Sequence, residues 1–250
     1  MSTIAIITAR GGSKRIPRKN IKEFMGKPIV AYAIETALKS KIFSEVMVST
    51  DDDEIVEIAK RFGAKVPFKR SQETANDFAS TEDVLDEVVN EYKKIGQEFD
   101  NICCIYPCVP LLTVQTLKEA YNTFANSDCN ALMPVVRFSF PIQRAVIKDE
   151  NNFLKYREPD NAEKRSQDLE PAFHDTGMFY FIKNEAFQKY RTLVPSKTVL
   201  YEMNESQIQD IDNIEDWKMA EIKYEMLNGK GGKKWHFQKN GMMYIKIKNI

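Results

Sequence analysis

Short β-branched apolar runs alternate along this chain with segments whose apolar residues recur every three or four positions. That rhythm constrains the fold more than any composition figure. Ile4 to Thr8, Val46 to Thr50, Ile102 to Tyr106 and Ala131 to Val136 read as buried strands. Between them, Ile29, Val30, Ala33, Ile34, Ala37 and Leu38 follow helical spacing from Pro28 onward, as do Ile55, Ile58, Ala59 and Phe62 before Gly63. Val84, Leu85, Val88, Val89 and Tyr92 mark a further helix, and Thr113 opens another. Strand and helix in alternation predict an α/β fold: a doubly wound, mostly parallel sheet with helices on both faces. Ligands in that architecture sit at the carboxyl ends of the strands.

The rhythm breaks between Arg137 and Phe173, a polar span with weak alternation at Ala145 to Ile147 and Phe153 to Tyr156. Its length marks an excursion from the body rather than an ordinary connection. Order returns with strands at Met178 to Ile182 and Val199 to Tyr201 and a helix from Glu215 to Leu227. Gly229 to Lys234 reads as a linker, and Met243 to Lys248 alternates like a short strand. The expected division is therefore one domain over 1–228, with 137–173 as the excursion, and a tail over 229–250 of unassigned role.

The first strand runs directly into Ala9-Arg10-Gly11-Gly12-Ser13-Lys14-Arg15-Ile16-Pro17-Arg18-Lys19-Asn20, with five cationic side chains and no acidic residue before Glu23. Paired glycines let backbone N–H groups approach a ligand closely. A strand, a glycine turn and concentrated positive charge point to a polyanion, most simply a nucleoside triphosphate; a solvated basic loop is the plain alternative. The stretch has neither GxxxxGK[ST] nor GxGxxG spacing, so an ATPase-type cradle and a dinucleotide oxidoreductase are both disfavoured. The 250 residues carry 36 Lys and Arg against 36 Asp and Glu, a net charge of zero that argues against binding a nucleic acid polymer. No apolar run approaches the ~18 residues of a membrane span, and no signal-peptide core is present. Cys103, Cys104, Cys108 and Cys129 lack zinc spacing and read as buried thiols of a reducing compartment, so the cytoplasm is the expected location.

Asp210-Ile211-Asp212 is the second constellation. Alternate residues of an extended chain face one side, and two carboxylates together with phosphate oxygens suit Mg²⁺. Asp51-Asp52-Asp53 is the rival metal motif, but acids after a strand commonly cap a helix, and Asp52 and Asp53 are assigned that role. His174 and Asp175, as strand neighbours, face opposite ways. No Ser or Cys stands in a nucleophile elbow, which disfavours covalent catalysis.

These residues resemble the signature of the CMP-sialic acid synthetase (acylneuraminate cytidylyltransferase) family. Ala9 to Asn20 is similar to its nucleotide-binding motif. Ser49-Thr50-Asp51, Phe68-Lys69-Arg70, Asp77-Phe78-Ala79-Ser80, Tyr106 to Leu111 and Asp210-Ile211-Asp212 follow in family order, over about residues 3 to 228. Tyr106-Pro107-Cys108, Arg165 to Leu169 and His174 to Tyr180 look most like the branch acting on pseudaminic acid. Sialic acid-specific members carry Gln where this chain has Tyr106 and Asn where it has Thr176.

The resemblance implies a Rossmann-like nucleotidyltransferase fold and a transfer in which the anomeric hydroxyl of a nine-carbon 2-keto sugar acid attacks the α-phosphorus of CTP. The products would be CMP-sugar and pyrophosphate. It implies that Arg10, Gly11, Gly12, Ser13 and Lys19 hold the triphosphate, with Asn20 on nucleotide or phosphate, and that Arg70 and Ser80 shape the cytidine pocket. Asp210 and Asp212 would hold Mg²⁺; Tyr106, Arg165, Gln167, Asp175 and Thr176 would face the sugar acid. Arg10, Lys19, Asp210 and Asp212 would carry catalysis. The excursion would be a dimerisation arm, making the protein a homodimer. Legionaminic, sialic and 3-deoxy-octulosonic acid are the rival substrates. A non-catalytic nucleotide-binding module and a glycosyltransferase using Asp51 to Asp53 are readings of another class.

Overall fold

The structure, a computed structural model, describes residues 1–229, 233–237 and 243–247. The first apolar run is β1 (Thr3–Thr8). A small hairpin follows, β2 (Glu23–Phe24) with β3 (Lys27–Pro28), turned by Met25 at φ 46° and Gly26 at φ 94°. Two successive left-handed residues make the tight turn whose twist suits a hairpin. Pro28 therefore pairs with Glu23 instead of opening the helix, and α1 begins two residues later (Val30–Ser40).

The alternation then proceeds as the periodicity predicts. It runs through β4 (Glu45–Ser49), α2 (Asp53–Arg61), the short α3 (Gln72–Ala75), α4 (Thr81–Lys94), β5 (Asn101–Ile105), α5 (Val114–Ala125) and β6 (Ala131–Arg137). Asp52 caps α2 by accepting from Ile55 N at 3.1 Å, and Asp53 stands in its first turn. The excursion holds a hairpin of β7 (Val146–Lys148) and β8 (Leu154–Tyr156) and returns through β9 (Phe173–Asp175). The remaining elements are β10 (Phe179–Lys183), α6 (Asn184–Tyr190), β11 (Thr198–Glu202), α7 (Ile214–Asn228) and a terminal hairpin of β12 (Lys233–Phe237) and β13 (Met243–Ile247). Residues 230–232 of the expected linker, and Lys248, lie outside the described residues.

The main sheet has the order β11-β6-β10-β5-β1-β4, with β9 also paired to β6. β1 runs parallel to β4 and β5, and β11 parallel to β6. β10 runs antiparallel to both its neighbours, a direction that an apolar run alone does not encode. Successive residues of β1 face opposite layers. Ala5 and Ile7 pack with Val30, Ile34, Ile55 and Leu117, while Ile4 and Ile6 pack with Leu85, Val88 and Phe187. The chain leaves β1 for β4 on one side and comes back to β5 on the other. The carboxyl end of β1 is thus the switch point where such sheets bind ligands. No helix among the described residues is long and apolar enough to cross a membrane.

A third cluster closes the ends of the chain on one another. Phe24 meets Tyr32, Trp217 and Tyr224 edge-on, with ring centroids 5.5, 5.5 and 5.6 Å away, and Ile211 and Ala220 complete the cluster. Asn213 and Asp216 form a capping box that starts α7 beside it. Trp217, only 4% exposed, anchors this layer, so Trp217→Ala is expected to lower the unfolding free energy by about 3–5 kcal/mol. Urea denaturation with an unchanged m-value measures it, and a loss below about 1 kcal/mol contradicts the anchoring role.

Candidate functional site

The basic loop leaves β1 at the switch point, still tied to β4 by Ala9 N donating to Ser49 O at 3.0 Å. Gly11 N donates to Asp51 Oδ1 at 3.0 Å, so the loop lies against the end of β4. A Cβ on Gly11 would stand 2.7 Å from Asp52 Oδ2 and 3.0 Å from Asp52 Cβ, which makes glycine a packing requirement there. A Cβ added at Gly12 would meet nothing within 4 Å, so that position has room for a side chain. Asn20, almost fully buried, ties the loop from within. Its Nδ2 donates to Arg10 O at 2.8 Å and its Oδ1 accepts from Cys108 Sγ at 3.2 Å.

Carboxylates from elsewhere in the chain meet the loop's cations. Asp77 pairs with Arg10 at 3.0 Å and Lys14 at 2.5 Å, and Arg10 also donates to Asn76 O. Arg18, in a left-handed conformation, pairs with Asp52 and Glu54, and its hydrogen bond holds the Asp52 carboxyl below the usual carboxylate range. Arg15 pairs with Asp212 Oδ1 at 2.7 Å. Lys19 Nζ donates to Ile211 O at 2.6 Å, bringing the loop to the Asp210–Asp212 segment. With Ile211 buried in the aromatic cluster, its two neighbours turn outward together. Asp210 is exposed, yet desolvation together with the charge of Asp212 pushes its carboxyl upward. Two mutually repelling carboxylates make a hard-oxygen donor set that fits a divalent cation when phosphate oxygens complete it. Among the described residues no group of three or more His, Cys, Asp or Glu gathers for a metal.

Two cavities bear on these residues, one lined by Arg10 of the loop and the other by Asp210. The smaller, about 200 Å³, is lined in part by Arg10, Arg70, Ser80, Thr81 and Tyr106. Arg70 is 7% exposed and donates to Ser49 Oγ at 3.0 Å and Ser49 O at 2.7 Å, and burial pushes its guanidinium down to about 10. Ser80 caps α4 in a reciprocal box with Asp83, so its hydroxyl is committed to the helix. The Ser80-x-x-Asp83 spacing carried that signal.

The larger cavity, about 480 Å³, is lined by Arg137, His174, Asp175, Thr176, Asp210 and Lys223 among others. Asp175 accepts from Gly177 N at 2.8 Å and from the Tyr180 hydroxyl. The Tyr180 ring stands edge-on to Tyr106 at 5.9 Å, and Tyr106 Oη meets Thr81 Oγ1 at 3.2 Å, so one chain of contacts links the two cavities. Thr176 is buried, its hydroxyl donating to Pro134 O at 3.2 Å. Arg165 and Gln167 stand exposed on the excursion and line neither cavity, with Arg165 bound to neighbouring Asp168 at 3.1 Å. Sequence reading overlooked Asp77, Tyr180, Arg137 and Lys223. Asp77 and Tyr180 carried a signal, in the Asp77-Phe78-Ala79-Ser80 and His174 to Tyr180 motifs.

A basic glycine loop beside a carboxylate pair, at the switch point of a doubly wound sheet, is the arrangement of a nucleotidyltransferase. Residues 4–238 match the family model described as Cytidylyltransferase. The chain is 40% identical over 226 residues to the pseudaminic acid cytidylyltransferase of Campylobacter jejuni subsp. jejuni serotype O:2, covering 90% of this chain and 97% of that one. It is 30% identical over 242 residues to the CMP-N,N'-diacetyllegionaminic acid synthase of Legionella pneumophila, covering 90% and 97%. Among solved structures, CMP:2-keto-3-deoxy-manno-octonic acid synthetase complexed with CTP superposes with a TM-score of 0.66 at 19% identity, over 89% of this chain and 98% of that one. At that identity the likeness speaks for the fold. The chain belongs to the cytidylyltransferase family.

The two loop glycines should respond differently to a methyl group. Gly11→Ala must displace Asp52 and its partner Arg18, at a cost of about 1–3 kcal/mol. Gly12→Ala should stay within about 0.5 kcal/mol of wild type. Urea unfolding of the two variants side by side checks this, and equal losses would contradict the close approach at Gly11.

Proposed function

We propose that this cytidylyltransferase activates pseudaminic acid with CTP, giving CMP-pseudaminic acid and pyrophosphate. The observation that carries the substrate is the 40% identity to a pseudaminic acid cytidylyltransferase along nearly the whole of both chains. The C2 hydroxyl oxygen of the sugar acid forms the new bond to the α-phosphorus and loses its proton to solvent, as the bond from the α-phosphorus to the bridging oxygen breaks and that oxygen leaves with pyrophosphate.

The geometry supports a division of labour among the loop residues. Arg10 and Lys19, with the Gly12 N–H and the Ser13 hydroxyl, hold the triphosphate and stabilise the charge that builds on its oxygens, while Gly11, its N–H spent on Asp51, sets the path of the loop. Asn20, whose amide is spent on Arg10 O and Cys108, acts by fixing the loop. Arg70 and the backbone around Ser80 form the cytidine pocket. Asp210 and Asp212 are the residues that would hold Mg²⁺, which supplies neutralisation of the triphosphate charge when bound. The larger cavity takes the sugar acid, with Asp175 and Thr176 on its wall, while Tyr106 lines the smaller cavity and meets Asp175 only through the Tyr180 ring. We assign residues 1–228 to the catalytic domain and leave the tail without a role in the reaction. We assign the chain to the cytoplasm, a reducing setting that suits its free thiols.

The excursion carries an apolar strip, with Phe140, Phe153 and Leu154 at 83%, 68% and 68% exposed. A second copy of the chain would cover it, and Arg165 and Gln167 reach a sugar-acid site only across such a pairing. Light scattering should therefore report a dimer that Phe153→Asp with Leu154→Asp converts to monomer; an unchanged mass removes the arm from the interface.

Pyrophosphate release with CTP and Mg²⁺ should be faster with pseudaminic acid than with legionaminic, sialic or 3-deoxy-octulosonic acid. A faster rate with any rival overturns the substrate assignment. Asp212→Ala should cut turnover by about 10²–10³-fold while the circular dichroism spectrum stays unchanged. Full activity in that variant overturns the metal assignment.

A further inference from the structure

Each of the loop's arginines, and Lys14, is paired to a carboxylate from another part of the chain: Arg10 and Lys14 to Asp77, Arg18 to Asp52 and Glu54, and Arg15 to Asp212. Only the last of these pairings engages one of the two acids assigned to the cation. A guanidinium 2.7 Å from Asp212 Oδ1 occupies an oxygen that a divalent ion needs, and its positive charge opposes the ion's approach. The pair is also easy to break. Its side chains are 70% and 39% exposed, and exposed ion pairs contribute little because water screens them. Arg15 stands on the same loop as Arg10 and Lys19, the cations assigned to the triphosphate, so a polyphosphate bound there competes with Asp212 for its guanidinium.

We propose that Arg15 is a positioning residue that shields Asp212 until a polyphosphate draws its guanidinium away, so that anion and divalent cation enter the site together. The proposal rests on the assignment of Asp210 and Asp212 as the cation pair. One side chain thereby serves two partners in turn, and the carboxylate is freed by the same step that brings the phosphate oxygens meant to share the ion with it. Lys14 supplies the contrast, with the same charge on the same loop but a partner, Asp77, outside the pair.

The test follows Mn²⁺ binding to full-length, EDTA-stripped protein at low salt without nucleotide, by the electron paramagnetic resonance signal of the free ion. Arg15→Gln should tighten Mn²⁺ binding by up to about fivefold, the range of an exposed ion pair. Lys14→Gln should leave the affinity unchanged. Asp212→Asn should weaken Mn²⁺ binding and, combined with Arg15→Gln, abolish the difference that Arg15 makes. Calorimetry of inorganic triphosphate in EDTA should show weaker binding to Arg15→Gln than to wild type. If Asp212→Asn leaves Mn²⁺ binding unaltered, the carboxylate pair is not the cation site and the proposal falls with it. If Asp212→Asn weakens binding while Arg15→Gln changes nothing, or no more than Lys14→Gln, the shielding role alone is overturned. Undiminished triphosphate binding by Arg15→Gln overturns the exchange.

Discussion

Five cations on one loop, with no acidic residue before Glu23, repel one another, and that repulsion must be met by carboxylates brought from elsewhere. Much of the fold around the site answers this requirement. The end of β4 supplies Asp51 to the Gly11 N–H and Asp52 to Arg18, the segment before α4 supplies Asp77 to Arg10 and Lys14, and the segment before α7 supplies Asp212 to Arg15. These partners lie tens to nearly two hundred residues from the loop in sequence, so the loop takes its shape only when the sheet and α7 are both in place. Ion pairs as exposed as Lys14–Asp77 contribute little to stability. Their use is to hold a cationic surface in register without committing it, ready for an anion of higher charge.

The buried pieces do the opposite work. Arg70 and Asn20 are nearly inaccessible, and each spends its hydrogen bonds on backbone or on side chains beneath the loop. A buried guanidinium left without partners would be costly, and Arg70 avoids this through two bonds to Ser49 and the nearby charges of Asp51 and Glu87. The site therefore has a rigid floor and an exchangeable lining. The aromatic cluster of Phe24, Tyr32, Trp217 and Tyr224 extends that floor to the last helix, which is how Asp210 and Asp212 come to face a loop that starts at residue 9.

What could be read from the sequence followed from local rules. Helical spacing located α1, α2, α4, α5 and α7, and the acid run after β4 named Asp52 as a cap, because those signals lie within a turn or two of chain. The direction of β10 was not legible, since an apolar run carries no arrow, and Pro28 misled because the left-handed pair Met25–Gly26 preceded it. Within the site, the loop and the Asp210–Asp212 pair stood out by composition. The pairing of Arg15 with Asp212 did not, because neither residue's neighbours in sequence hint at the other; both were brought together by the burial of Ile211 and the reach of Lys19. Ser80 shows a related limit, as its presence on the cavity wall was foreseen but the capture of its hydroxyl by Asp83 was not weighed.

The two cavities differ in how they can discriminate. In the smaller one Arg70, Ser80 and Tyr106 already have protein partners, so selectivity there falls to shape and to backbone groups. In the larger one Arg137 and Asp210 line the wall together with Asp175, and a ligand's hydroxyl, amide and carboxylate groups meet charge directly. A wall built to hydrogen-bond a polar group rejects analogues lacking it far more strongly than an apolar wall rejects a missing methyl. If the larger cavity takes the sugar acid as proposed, discrimination among sugar acids that share a carboxylate and differ in their N-acyl groups belongs there. The contact chain from Thr81 through Tyr106 and Tyr180 to Asp175 joins that wall to the wall of the smaller cavity, so a substitution at Tyr106 or Tyr180 touches both.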